Sequence, residues 1–328
     1  MKSRFVKIIA VLSCAILLLS ACGDSSTSDS DTGNSEFEAE TVTGEIVNIH
    51  ILMNDTKDFQ ASIKAFYEKW ASENSDQAEI TIYDAEGDVN TQVSQCDMAL
   101  TKGADAIVIV PVDSATCDAI TEMCEEESVP LICGQNPADS GYDIWVGSDH
   151  TNSGIFEAEY VVDQLEGEGD VVILYGSLGN DATNKRWDGA KSVLEKYEGI
   201  NILAESTANW IRDEAMSVME NWLQSDFGDE IDAVIAGNDE MAIGAALAAA
   251  DAGRKDIIFA GVDASSEALE FVADDEFNYF TVLQDGENIC KTACEWAVKL
   301  ANGESVEKET YVDVPYVPIT KDNVEDYR

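Results

Sequence analysis

The sequence predicts an α/β protein made of two doubly wound, Rossmann-like lobes. Three observations predict it. The segment 231–263, IDAVIAGNDEMAIGAALAAADAGRKDIIFAGVD, reads as strand, polar turn, helix, strand and polar turn again. Its apolar runs at 233–236 and 257–260 are too short for helices and suit strands buried on both faces. The same alternation begins near residue 46 and starts afresh near residue 150, each run being about the size of one domain. No long Gly/Pro linker separates the runs, so short crossovers must join them. Parallel sheets bind ligands beyond the carboxyl ends of their strands, where Asn238 and Asp263 fall. Both residue types also cap helices, which is the alternative reading of each.

Taken in order, residues 46–52 form the first strand, and a polar turn leads to a helix opened by Phe59 with apolar Ile63, Phe66 and Trp70 on one face. Strand 80–83 ends at Asp84 and is followed by helix 90–100. Strand 106–110 is stopped by Pro111, and Asp113 caps a helix over 114–126. Strand 130–133 runs into Gly134-Gln135-Asn136-Pro137, and 143–146 is a further short strand. The second run reads helix 152–164, strand 170–175, loop 176–180, helix 182–196, strand 200–205 and helix 211–224, then the segment described above. Strand 280–283, helix 287–302 and an extended segment 311–317 complete it.

The 328 residues are 45% hydrophobic, enough for two cores, and 65 acidic residues face 19 basic ones for a net charge of −46. Such a surface repels nucleic acid, which is excluded as a partner. Residues 1–22 read as a leader, with Lys2, Arg4 and Lys7 ahead of an apolar stretch at 8–19 that is short for a membrane span. It ends in Leu19-Ser20-Ala21-Cys22, which resembles a bacterial lipobox; lipid on Cys22 would then hold the protein to the outer face of the cell membrane. An ordinary secretory leader with an incidental cysteine is the alternative. Residues 23–44, rich in Ser, Asp, Thr and Gly, read as a disordered tether. Six cysteines follow without C-x-x-C spacing, and the chain has only two histidines, His50 and His150, so a zinc site has little support. Cys117/Cys124 and Cys290/Cys294 are spaced to share helix faces. Buried thiols, or a bridge from Cys96 to the 117–124 helix, both suit these positions.

Beyond the strand ends lie residues 54–59, Asp84, Asp113, Gln135, Asn136, 176–186, Asn209, Trp210, Asn238, Asp263 and Gln284. These are amides, carboxylates, one arginine and two large aromatics. No G-x-S-x-G, phosphate loop or Ser–His–Asp arrangement occurs, so an enzyme is not expected. The inventory suits an uncharged, hydroxyl-rich ligand. Carboxylates and amide oxygens take the hydroxyl protons, Arg and amide NH2 groups supply donors, and flat rings cover apolar C–H faces.

From about residue 47 onward the chain resembles the periplasmic sugar-binding proteins of the ribose and galactose/glucose type. The resemblance rests on Gly103-Ala104-Asp105-Ala106-Ile107, Val129-Pro130-Leu131-Ile132, Trp145-Val146-Gly147-Ser148-Asp149, Gly237-Asn238-Asp239-Glu240-Met241-Ala242 with Gly244, Gly261-Val262-Asp263, and Val314-Pro315-Tyr316-Val317 with Lys321-Asp322-Asn323. It implies the type I periplasmic binding protein fold, with a hinge that the chain crosses three times, one lobe coming from 45–148 and 284–313 and the other from 149–283 and 314–328. It implies a monomer that captures a monosaccharide and presents it to the permease of an ABC importer; a sensor feeding a chemoreceptor or kinase is the alternative. The stacking aromatics match Phe59 and Trp210, and the sugar-binding polar residues match Arg186, Asn238, Asp263 and Gln284. Gln135 and Asn136 stand where the family has an Asp-Arg or Asn-Lys pair. Gln284 follows the ribose type, Trp210 the galactose type. Residues 165–170, LEGEGD, lack the galactose type's calcium loop, so neither calcium nor a cofactor is expected.

Overall fold

The computed structural model describes residues 45–328. The leader, Cys22 with its lipobox-like surroundings, and the tether lie outside the described residues. The first half runs β1 (Val47–Met53), α1 (Asp58–Glu73), β2 (Ala78–Asp84), α2 (Val89–Thr101), β3 (Ala106–Ile109), α3 (Asp118–Glu127), β4 (Leu131–Gly134) and β5 (Ile144–Gly147). The second runs α4 (His150–Gln164), β6 (Glu168–Tyr175), α5 (Asp181–Leu194), β7 (Gly199–Thr207), α6 (Arg212–Leu223), β8 (Ala233–Ala236), α7 (Asp239–Asp251), β9 (Ile258–Asp263), α8 (Ser266–Ala273) and β10 (Asn278–Leu283). The chain closes with α9 (Gly286–Ala301), β11 (Thr310–Asp313) and β12 (Val317–Ile319).

The strands form two six-stranded sheets, ordered β11-β5-β4-β3-β1-β2 and β12-β10-β9-β8-β6-β7. Every pairing is parallel except the antiparallel β10–β12 edge. The central strands AIVI (β3), LICG (β4) and AVIA (β8) are buried along their whole length, as strands covered by helices on both faces must be. Apolar layers fill both faces of each sheet: α1 and α9 cover one side of the first sheet and α2 and α3 the other. In the second lobe α6, α7 and α8 cover one face, α4 and α5 the opposite one. In both sheets the strand order reverses beside the first strand, between β1 and β3 and between β6 and β8. Open α/β sheets offer a ligand crevice there.

The chain changes sheets after Gly147, after Leu283 and after Asp313. The segment expected to be extended over 311–317 is therefore divided between the sheets. Thr310–Asp313 pairs with β5, Val317–Ile319 pairs with β10, and Pro315, lacking an N–H, falls in the gap. The helix expected over 114–126 is also broken. Asp113 caps a single 3-10 turn, Ser114–Thr116, and the α-helix begins only at Asp118. Two glycines bring α4 against α5. A Cβ at Gly154 would overlap the Arg186 carbonyl, and one at Gly189 the Thr151 carbonyl. All six cysteines of the described residues are buried and free; Cys96 Sγ lies 3.9 Å from Cys124 Sγ.

Candidate functional site

A cavity of about 300 Å3 lies between the two lobes. Asn54, Phe59, Gln60, Gln135 and Asn136 line it from the first lobe, and Arg186, Trp210, Asn238 and Asp263 from the second. His150 and Gln284, each just past a point where the chain changes sheets, complete the wall. All eight residues expected from the sequence to bind ligand are thus gathered on one cavity. Asp84 and Asp113, also expected at strand ends, do not line it. Asp84 accepts from Thr56 Oγ1 at 2.5 Å and from the Glu86 amide, and Asp113 accepts from the Thr116 amide. Short Asx and capping bonds have turned both carboxylates back onto their own loops.

Asn238 lines the cavity and caps a helix at once. Its Oδ1 accepts from the Met241 amide at 3.0 Å, and its Nδ2 donates to the Trp210 carbonyl at 3.3 Å. Asp263 is not a cap, because Ser265 holds the α8 N-terminus by accepting from the Ala268 amide. Among the described residues no group donates a hydrogen bond to the Asp263 carboxylate, although the residue is only 8% exposed. Behind it, the buried Asp239 is saturated, accepting from the Ser265 amide (2.8 Å), Thr281 Oγ1 (2.7 Å) and Tyr279 OH (3.2 Å). Asp263 thus has an acidic neighbour in its own lobe, one residue past Asn238. Burial raises the Asp263 carboxyl well above the ordinary range; Arg186 opposes this, and Asp239 adds to it. Burial also puts Asp239 at about 7.

Arg186 is held on three sides. Nη1 donates to the Gly237 carbonyl, and Nη2 to Gln284 Oε1 (3.1 Å) and Tyr316 OH (3.0 Å). From Tyr316 a hydrogen-bond chain continues into the first lobe. Burial, with Arg186 and Lys185 nearby, pushes His150 well below its usual value, so its ring is neutral. Tyr316 donates to His150 Nδ1 at 2.6 Å, and His150 Nε2 donates to Asn136 Oδ1 at 2.8 Å. One chain of donors thus links both lobes through two of the connecting segments. Gln135 pairs reciprocally with Gln60, at 3.0 and 3.2 Å, and its carbonyl accepts from Trp145 Nε1 at 2.9 Å.

Phe59 and Trp210 reach the cavity from opposite lobes. Phe59 also packs on the first lobe's core. Trp210 lies over Gly176 and Gly237, where a Cβ at 176 would overlap the indole, and the Arg186 guanidinium sits 5.7 Å from its ring centre. Met219 and Trp222 belong to the apolar cluster behind it. Five non-glycine lining residues hold positive φ: Glu86 (52°), Gln135 (62°), Asn209 (51°), Trp210 (69°) and Asp263 (122°). Strained backbone of this kind persists where surrounding structure fixes it and concentrates at ligand sites.

Sequence reasoning missed His150, Gln60, Glu86 and Gly87. The signal for His150 was present, since it follows the predicted first crossing at 148–149. Gln60 follows Phe59 at the start of a helix whose N-terminus faces the cavity. Among the described residues, no group of three or more His, Cys, Asp or Glu is placed to hold a metal, and no helix is long and apolar enough to cross a membrane.

Comparison with known proteins supplies the family. A xylitol-binding protein of Mycolicibacterium smegmatis is 35% identical over 279 residues, 84% of this chain and 78% of the relative. The ribose import binding protein of Bacillus subtilis is 30% identical over 299 residues, 91% of this chain and 94% of its own length. An ABC transporter solute-binding protein from Bacillus halodurans, solved with bound myo-inositol, superposes with a TM-score of 0.81 at 34% identity, covering 86% of this chain and 96% of that one. Residues 49–305 match the periplasmic binding protein domain, and the chain belongs to that family of solute-binding proteins.

Proposed function

We propose that this protein captures one monosaccharide or cyclic polyol outside the cytoplasm and delivers it to the permease of an ABC importer. The observation that carries the reading is the unpaired Asp263 carboxylate, facing the same cavity as the braced Arg186 guanidinium. A hydroxyl group can donate to the first and accept from the second, and bonds to charged partners are the stronger kind, roughly 1.5–3 kcal/mol net each. Asn238, Asn136 and Gln135 add amide donors and acceptors, and Phe59 and Trp210 offer ring faces to the C–H surface. About 300 Å3 is at the small end of ligand pockets, the scale of one ring and not an oligosaccharide. The ribose and myo-inositol of the relatives are of this class, and xylitol is an open-chain polyol of similar size.

The mechanism is capture by closure. Lobes 45–148 with 284–313 and 149–283 with 314–328 hinge at 148–149, 283–285 and 312–317, and a ligand touching both favours the shut form. The protein acts as a monomer, and the lipobox-like Leu19-Ser20-Ala21-Cys22 supports lipid anchoring at Cys22. A thermal-shift panel of pentoses, hexoses, cyclitols and linear polyols, with amino acids as charged controls, tests the reading. Ligand at a hundredfold excess over Kd stabilises by about 2.7 kcal/mol, a rise of several degrees. A panel in which only charged solutes such as amino acids raise Tm would sink it.

A further inference from the structure

Behind the binding cavity lies a second one of about 20 Å3, between α4, α5 and the ends of β6 and β8. Glu157, Thr183, Arg186 and Gly237 are on its wall. Two polar atoms here have no protein partner, Glu157 Oε1 and Arg186 Nε. Both side chains are deeply buried, at 1% and 7% exposure, and an unsatisfied buried donor or acceptor is strongly unfavourable. The helix crossing explains why they meet. Arg186 stands at the point of closest approach itself, its carbonyl against Gly154, and Glu157 lies one turn past Gly154 on α4, so both line the same helix seam. A water needs roughly 10–15 Å3 and two to four polar partners, and this cavity offers both.

We propose that a buried water binds here, accepting from Arg186 Nε and donating to Glu157 Oε1, and that Glu157 is thereby a positioning residue for Arg186. Nη2 has both hydrogens committed, to Gln284 and Tyr316, and Nη1 has one committed to Gly237, which leaves its second N–H for a ligand. The water bridge fixes the remaining edge, so the plane of the guanidinium is set before a ligand arrives. Burial keeps the Glu157 carboxyl well above its ordinary range, with Arg186 opposing that shift, and either protonation state of Glu157 can accept from the water. Glu157 lines the rear cavity and not the ligand cavity, so its effect on binding must pass through Arg186.

The inference rests on the polyol-binding reading for its consequence, and two variants with one crystal structure separate the two. Titration calorimetry uses whichever panel member most raises the wild-type Tm. Glu157→Gln retains an acceptor and should bind within about threefold of wild type, whereas Glu157→Leu should bind roughly tenfold or more weakly at a temperature where both are folded. A high-resolution crystal structure of the wild type should show a water peak within hydrogen-bond distance of Arg186 Nε and Glu157 Oε1. Wild-type affinity in Glu157→Leu, or no water density between the two groups, overturns the proposal. Should Glu157→Leu fail to fold, Glu157→Gln binding far more weakly than wild type would count against the water bridge, and the density still decides. If the wild type binds no panel member, the polyol reading fails by itself, and the water peak alone decides whether Glu157 braces Arg186.

Discussion

Asp239 and Asp263 are the same side chain in different roles, and their hydrogen bonds tell them apart. Asp239 is satisfied by three protein donors, while Asp263 has none and faces the cavity. Asp263→Asn should therefore weaken polyol binding by roughly tenfold to a hundredfold. It should not weaken the fold. A carboxyl whose folded pKa is raised stabilises most below its unfolded value, near 4, and loses that contribution as pH rises. The Tm of ligand-free Asp263→Asn should thus match or exceed wild type at pH 7, with the advantage growing between pH 4 and 8; an advantage over wild type that shrank as pH rose would contradict the assignment. His150 runs the opposite way. Its folded pKa is lowered, so its contribution is full above about 6.5 and is lost as pH falls below that value. The Tm gap between wild type and His150→Gln should be widest near pH 8 and shrink toward pH 5, and a gap that widened in acid would refute the neutral-ring chain. At this scale the sequence showed residue types at strand ends, which brought Phe59, Arg186, Trp210, Asn238, Asp263 and Gln284 into view. It did not show which carboxylates curl back, as Asp84 and Asp113 do, because a two-residue Asx bond and a ligand-facing carboxylate look alike in sequence. Nor did it show the positive φ of Trp210, since a bulky residue rarely adopts that conformation.

The elements were more legible than the residues. Short apolar runs such as AVIA and AIVI marked the central strands to within a residue or two, because burial on both faces admits little else. The failures came where tertiary pairing overrode local pattern, as at Val314–Pro315–Tyr316, where the chain leaves one sheet for the other. The α4–α5 contact was also invisible, for Gly154 and Gly189 read as ordinary helix glycines until the partner carbonyls are known. That contact sets where Arg186 stands. Gly154→Ala must push α4 from α5 and should destabilise by about 1–3 kcal/mol, read as a lower urea midpoint at unchanged m. An unchanged midpoint would show that the helices can separate freely, and Arg186 would then need another support.

For the whole molecule, the restart of the strand–helix alternation near residue 150 announced two lobes, and facing strand ends implied a cleft. What the sequence withheld is the coupling between them. The chain from Arg186 through Tyr316 and His150 to Asn136 uses residues from both lobes and from two connecting segments. A ligand touching Arg186 and Asn136 therefore engages a network that already spans the hinge, which is a physical route by which binding can favour one lobe arrangement. The net charge of −46 repels anionic partners. The most direct test is a crystal structure of the protein with the polyol that stabilises it most. The account predicts one ring between Phe59 and Trp210, with hydroxyls on Asp263 and Arg186 and at least one bond from Asn136 or Gln135 across the cleft. A ligand that lay elsewhere, or left the Asp263 carboxylate untouched, would contradict it.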